Sequence, residues 1–395
     1  MAFIFIRVAD LNCPLRTDES FSGRQDPAHH TGTSPLESRL NTKMISQSRL
    51  DPMHLVHLGN MKRFLKQIVR KGPRKLHWRV INVLSDGLQF AGSYLPREFS
   101  RLQFKELKYF SRYKATELRA LLLYVLVVVF KLLPQESVKI YRNFLLLHVC
   151  IFILSRKVLL DEYCHLAERF ARAHVEYSMA LFGKEYCVYN VHSLIHLPSE
   201  CRMRGELESF SAYPFENFLQ ILVNVVKSGN QPLQQLINRV TERENYLAEK
   251  KSEMEADYLL EQEVREDARD FGDREFDFIK LKRGFCLGVN KRERCFCAND
   301  GLIVVLTNIV KTRGQVLLYG RKFGKVENFY TYPINSSILG IFKVLDLECS
   351  KISFEIGQIK HKCVLLPDPP VRAENGHSSF LCLPMLHTLV EELLF

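Results

Sequence analysis

Two histidine-bearing pairs in this 395-residue chain have side chains and spacings suited to metal chemistry. Asp51 and His54 stand three apart in Asp51-Pro-Met-His54, and His192 and His196 stand four apart in His192-Ser-Leu-Ile-His196. On a helix both spacings project side chains from one face. Two short pairs separated by a long insertion can make a four-ligand site, and carboxylate plus imidazole suits zinc. The bland alternative is equally plain: Val191, Leu194, Ile195 and Leu197 surround the second pair, so its histidines also fit an apolar core. No glutamate follows His192, so the zinc-protease pattern is absent. Glu216 lies just inside a helix opened by Pro214, where the helix dipole favours a negative charge. It is also a candidate metal-binding carboxylate, but two-metal phosphoryl transfer needs several such acids. Cys295 and Cys297 share one face of a strand, and with no second cysteine pair they read as ordinary strand residues.

The elements that must carry these residues follow from composition and period. The chain carries 55 Lys and Arg against 44 Asp and Glu, is 47% hydrophobic, and has 11 cysteines without regular spacing. It has apolar residues enough for real cores, and a disulfide framework is not indicated. Residues 1–50, rich in Ser, Thr, Pro and Asp, lack an apolar period and read as a poorly ordered segment. Residues 51–277 read as a helical domain. Its expected helices are one through Leu65 and Ile68, one over Leu118–Leu133 capped at Thr116 and stopped by Pro134, and one over Ser137–Leu154. Another is capped at Asp161 and runs through Leu181, another spans Phe215–Ser228, and a last helical stretch spans 232–270. From 278 to 395 short β-branched runs alternate with turn residues, as in Leu302–Val310, Gln315–Tyr319, Ile338–Leu347 and Ile352–Ile359. The class expected is therefore α+β, mostly helical and then a small all-β domain read as a barrel. The apolar runs Ala120–Phe130 and Phe144–Leu154 are shorter than the roughly 20 residues a membrane span needs, and no targeting signal is read at Met1–Val8.

Charge is uneven along the chain. Met61–Lys114 holds 14 bases and 3 acids, interleaved with Trp78, Phe90, Tyr94, Phe99, Phe104, Tyr109, Phe110 and Tyr113. Thr241–Asp277 holds 14 acids and 6 bases, and reads as a solvated face. Bases mixed with aromatics suit a nucleic-acid backbone, although the aromatics also fit a core.

Several strings together resemble transposase-domain proteins related to the CACTA (En/Spm-like) DNA transposases. They include Leu15-Arg-Thr-Asp-Glu-Ser-Phe21, His29-His30-x-Gly32-x-Ser34-Pro-Leu36 and Leu50-Asp-Pro-Met-His-Leu-Val-His-Leu-Gly59. Further strings are Leu95-Pro-Arg-Glu-Phe99, Tyr113-Lys-Ala-Thr-Glu-Leu-Arg119, Tyr189-Asn-Val-His-Ser-Leu-Ile-His196 and Phe210-Ser-Ala-Tyr-Pro-Phe-Glu-Asn217. The resemblance implies a partial RNase-H-like core with a helical insertion. It also implies zinc on Asp51, His54, His192 and His196, and Glu216 as the last acid of a DDE triad. Met1–Asn12 does not resemble the segments expected to carry the two triad aspartates, so the chain reads as the C-terminal portion of such a transposase. Magnesium is expected only with a complete triad. The expectation is a non-catalytic, transposon-derived nuclear protein, not secreted, that binds DNA without sequence preference through 61–114. The alternatives are an active transposase or nuclease, and a protein-interaction scaffold.

Overall fold

A computed structural model describes residues 10–25, 30, 32–99, 103–253, 258–263, 274–281, 284–312, 315–372 and 377–386. By its contacts the chain divides into two units. The first comprises Met1–Leu88, Lys105–Ser211 and Tyr332–Ile334; the second comprises Gln89–Phe104, Ala212–Thr331 and Asn335–Phe395.

The first unit is helical. Val138–Leu154 and Lys157–Phe182 form a hairpin joined by Ser155 and Arg156. The first of these is apolar on nearly every side, and Gln135–Leu154 is long and apolar enough to cross a membrane. In this fold 72% of its 18-residue apolar window is buried. Phe64, Phe130, Phe144 and Phe182 meet edge-on or tilted around its start, an arrangement that aromatic quadrupoles favour. Two buried histidines are absorbed here: the His148 and His174 Nδ1 atoms bond the Leu122 and Asn143 carbonyls at 2.9 and 3.0 Å.

The helix expected over Leu118–Leu133 is a run of α, π and 3-10 turns from Ala115 to Leu132. Its start lies earlier than Thr116, because the Glu117 carboxylate accepts the Lys114 backbone N–H at 2.7 Å. Asp161 is not a cap either: the helix opens at Lys157, and Asp161 pairs with Lys157 one turn back at 2.5 Å. Within 1–50, the helices Asp18–Ser22 and Pro35–Leu40 bury no side chain. Asp18 nevertheless ties this segment, accepting the Ile45 and Ser46 N–H groups at 2.9 and 3.0 Å.

The second unit is built on ten strands: β1 Tyr258–Glu263, β2 Arg274–Leu281, β3 Phe285–Gly288, β4 Cys295–Ala298, β5 Ile303–Thr312, β6 Gln315–Asn328, β7 Phe342–Leu347, β8 Ile352–Glu355, β9 Ile359–Pro367 and β10 Ser379–Pro384. The expected α+β class holds. The helical stretch expected to reach 270 ends earlier, at Glu253, and β1 follows where helix was expected. Tyr258 and Leu260 explain the change: they pack on the β core while β1 pairs with β2 from Tyr258↔Leu281 to Glu263↔Phe276. The β region thus begins about twenty residues before the expected boundary at 278.

Six strands close on themselves in the order β4–β5–β6–β7–β10–β9 and back to β4, every pairing antiparallel. Closure removes the open edges that otherwise invite strand addition. Alternate residues face inward, as strand pleating requires. Cys295, Ile303, Val305, Phe323, Val344, Cys363, Leu365 and Cys382 make this inner cluster, with at least one residue from each of the six strands. A second cluster, with Phe296, Val304, Leu306 and Leu318, lies on the opposite face and packs against β2, β3 and β8.

One segment distant in sequence belongs to this unit. Glu98, from 89–104, accepts the Cys286 N–H at 2.9 Å and takes both carboxylate oxygens to the Lys362 Nζ at 2.8 Å. Lys362 also donates to the Cys286 carbonyl at 2.5 Å and to the Glu293 carboxylate. Its side chain is wholly buried.

Candidate functional site

The four residues read as a zinc set lie in one unit, on elements that do pack together. The π-helix Met53–Met61 approaches the turn at Asn190: Asn60 Nδ2 donates to the Asn190 carbonyl at 2.6 Å. Gly59 permits that approach, since a Cβ there would stand 2.5 Å from Asn190 Nδ2 and 2.7 Å from the His54 carbonyl. Each pair closes on itself. Asp51 accepts the Met53 and His54 N–H groups at 3.2 and 3.0 Å and the His54 Nδ1 at 2.5 Å. The His192 and His196 rings lie 5.3 Å apart, and burial, then the charges of His192 and Arg172, hold His196 below its ordinary ionisation range.

The two pairs do not become one site. Among the described residues, the His, Cys, Asp or Glu group of three or more whose ligand atoms gather within 4.8 Å is Cys295, Cys363 and Cys382. Asp51, His54, His192 and His196 do not gather to that distance. Asp51 is engaged as the cap of the π-helix, and the His54 ring stands largely exposed beside it. Glu216 is exposed in the first turn of Tyr213–Val225, in the other unit from the histidine pair. It joins no ligand group among the described residues. Among the described residues no set of carboxylates converges on it, as a two-metal triad requires.

The basic stretch divides by unit. Within the first, helix Lys62–Val69 buries Phe64, Leu65, Ile68 and Val69, so its bases must face outward. Arg63 is structural, donating to the Tyr186 and Glu185 carbonyls at 2.9 Å each. Lys66, Arg70, Lys71, Arg74, Lys75 and Arg79 are exposed. The 3-10 turn Leu107–Arg112 packs on the same helix and presents Lys108 and Arg112, with Lys105 and Lys114 exposed at its flanks. Half of the interleaved aromatics are core: Phe99, Phe104, Phe110 and Tyr113 are buried, while Phe90 and Tyr94 are half-buried. Trp78, the chain's one tryptophan, is the exception at 60% exposed, with Tyr109 at 40%. The Arg79 guanidinium lies 5.4 Å from the Trp78 ring, and Lys108 lies 5.0 Å from that of Tyr109.

The cysteine cluster sits inside the barrel on the adjacent strands β4, β9 and β10. Cys295 is the thiol whose ionisation is made easier, because Cys363 and Cys382 hydrogen-bond to it; serving as donors pushes those two up. Cys297, two residues along the same face of β4, packs against the cluster. Three buried thiols in this arrangement could hold a soft metal ion. Sequence reading weighed Cys295 with Cys297 and missed Cys363 and Cys382. The available signal was their inward parity on β9 and β10, which becomes informative only once the strand order is known.

Residues 263–385, under a third of the chain, match the model of a family described as a domain of unknown function (DUF8592). No curated protein and no solved structure matches the chain.

Proposed function

We propose that this chain is a transposase-derived, non-catalytic nuclear protein that binds nucleic acid through the basic surface of its helical unit. The observation that carries the reading is the exposed run from Lys66 to Arg79, six bases ending beside an exposed tryptophan. Bases neutralise phosphates and release counterions, while an exposed indole offers a stacking face to an unpaired base. The motif resemblance to CACTA-related transposases supports the descent. Catalysis is left out because Glu216 has no converging acids among the described residues.

The test is titration of the full chain with duplex and single-stranded oligonucleotides, read by Trp78 fluorescence and gel mobility. If the six bases each meet a phosphate, the logarithm of affinity should fall against log salt with a slope of about −5 on duplex DNA. Single strands should quench Trp78. The triple substitution K71Q/R74Q/K75Q should flatten the slope by about three. Binding indifferent to salt, or to the triple substitution, refutes the reading and leaves a protein-interaction scaffold. Magnesium-dependent nicking lost in Glu216→Gln would favour an active nuclease.

Zinc belongs to the same proposal as a structural ion, now on Cys295, Cys363 and Cys382. The cluster's dimensions support it: zinc–sulfur bonds of about 2.3 Å place sulfurs roughly 4 Å apart. Elemental analysis of protein purified without chelator should give one zinc per chain, absent from C363S/C382S. A metal content unchanged by that substitution refutes it.

A further inference from the structure

Above the inner cluster, one mouth of the barrel holds a cavity of about 520 Å³. Its apolar walls are Val305, Phe323, Leu365 and Phe380, the first three continuous with the barrel interior. Its polar lining is unusual for so greasy a floor: Lys291, Arg294, Tyr94, Ser378, His377 and Asp346 converge on it.

Arg294 stands apart from other arginines of this unit. Arg292 donates its Nε to the Ser93 carbonyl at 3.0 Å, and Arg321 donates to the Glu348 and Leu347 carbonyls. The Arg294 Nε is shut away from water with no hydrogen-bond partner. A desolvated guanidinium donor left bare is costly, and buried polar groups in folded proteins are nearly always paired. Arg294 is placed there by the barrel itself: it immediately precedes β4, and its carbonyl accepts the Leu306 N–H of β5 at 2.7 Å. Lys291 adds a second positive charge, its Nζ 4.4 Å from the Tyr94 ring centre. Asp346 is the opposing charge in the lining, so the two bases and one acid leave it net positive. His377 lies between Phe90 and Phe380, with ring centres 5.6 and 6.0 Å away, and its partial burial favours the neutral ring.

We propose that this barrel mouth is a binding site for a small organic anion with an aromatic body, its phosphate or carboxylate head on Arg294 and Lys291 and its ring over Phe323 and Phe380. A guanidinium fork matches both head groups in a two-point hydrogen bond. The volume falls in the range of small-molecule sites, which pair apolar walls with a few convergent polar groups. The site lies wholly in the second unit and does not depend on the nucleic-acid reading.

The experiment uses the full chain and four probes in isothermal titration: 1-naphthyl phosphate, 1-naphthoate, neutral 1-naphthol and inorganic phosphate. The naphthyl anions should bind at least about tenfold tighter than naphthol, the scale expected of hydrogen bonds to a charged group. Inorganic phosphate should bind weakly, lacking the ring. Preference for the phosphate over the carboxylate, or the reverse, identifies the head group. Arg294→Gln should bring the anions to the affinity of naphthol, while Lys360→Gln, an exposed lysine on β9, should change nothing. Lys291→Gln, at the exposed rim, should weaken the anions about threefold and covers the case in which Arg294→Gln fails to fold. Naphthol binding as tightly as the anions, or anion affinity unchanged in Lys291→Gln and in a folded Arg294→Gln, overturns the proposal.

Discussion

Replacing Lys362 by methionine should be among the most damaging single substitutions in the barrel unit. The stem is nearly conserved in volume, so packing changes little. What is lost is the ammonium held by Glu98, Glu293 and the Cys286 carbonyl, with all three side chains almost fully buried. The substitution strands two carboxylates in one dry site, and breaking a buried ion pair from one side costs about 3–5 kcal/mol. For a unit of this size each kcal/mol corresponds to roughly 2–4 °C in melting temperature, so a drop of about 10 °C is expected by calorimetry. The compensating design keeps the two carboxylates' other duty. Glu98 accepts the Cys286 N–H and Glu293 accepts the Arg97 N–H at 2.9 and 2.8 Å, so leucines would leave those donors bare. Glutamines can still accept them without charge. K362M/E98Q/E293Q should therefore recover at least half of the loss. A single variant within about 1 kcal/mol of the parent, or a triple variant no better than the single, would refute the charge-burial argument.

Burial holds His57 down to about 3, and His148 and His174 to about 4, against an ordinary 6.5. These rings are neutral in the fold and take up protons more readily when unfolded. Their stabilisation is complete above pH 6.5 and is lost as pH falls toward 4, at about 1.4 kcal/mol per unit for each ring. The helical unit should melt progressively lower from pH 7 to 4.5, and a flat profile there would count against it. Gly59→Ala should destabilise the same unit by about 1–3 kcal/mol in chemical denaturation, since its methyl group meets Asn190 and the His54 carbonyl. Among the described cysteines Cys349 is the exposed one, so a thiol reagent should show a fast phase that Cys349→Ser removes.

The change from helical to strand period was legible because amphipathic spacing is local. So were the buried runs of Phe144–Leu154 and the proline-opened helix at Pro214. β1 was missed because its acidic neighbourhood resembles a solvated helix, and its strand character depends on β2 as partner. The zinc expectation relied on spacing and on the motif resemblance. Spacing could not reveal that Asp51 caps a helix, nor that three cysteines from β4, β9 and β10 meet inside a barrel. The placement of 89–104 was equally hidden, since the partners of Glu98 lie 188 and 264 residues downstream.

That last separation bears on how the protein is made. Synthesis is vectorial, and at about 5–20 residues per second Glu98 leaves the ribosome roughly 13–50 seconds before Lys362. For that interval 89–104 carries Leu95, Phe99 and Phe104, all buried in the finished protein, while the downstream part of its unit is still unmade. The nascent chain must keep this segment soluble, by its own charges or under a chaperone, until β9 arrives. The buried Lys362 of β9 then finds its partner on a piece of chain that has waited through most of translation.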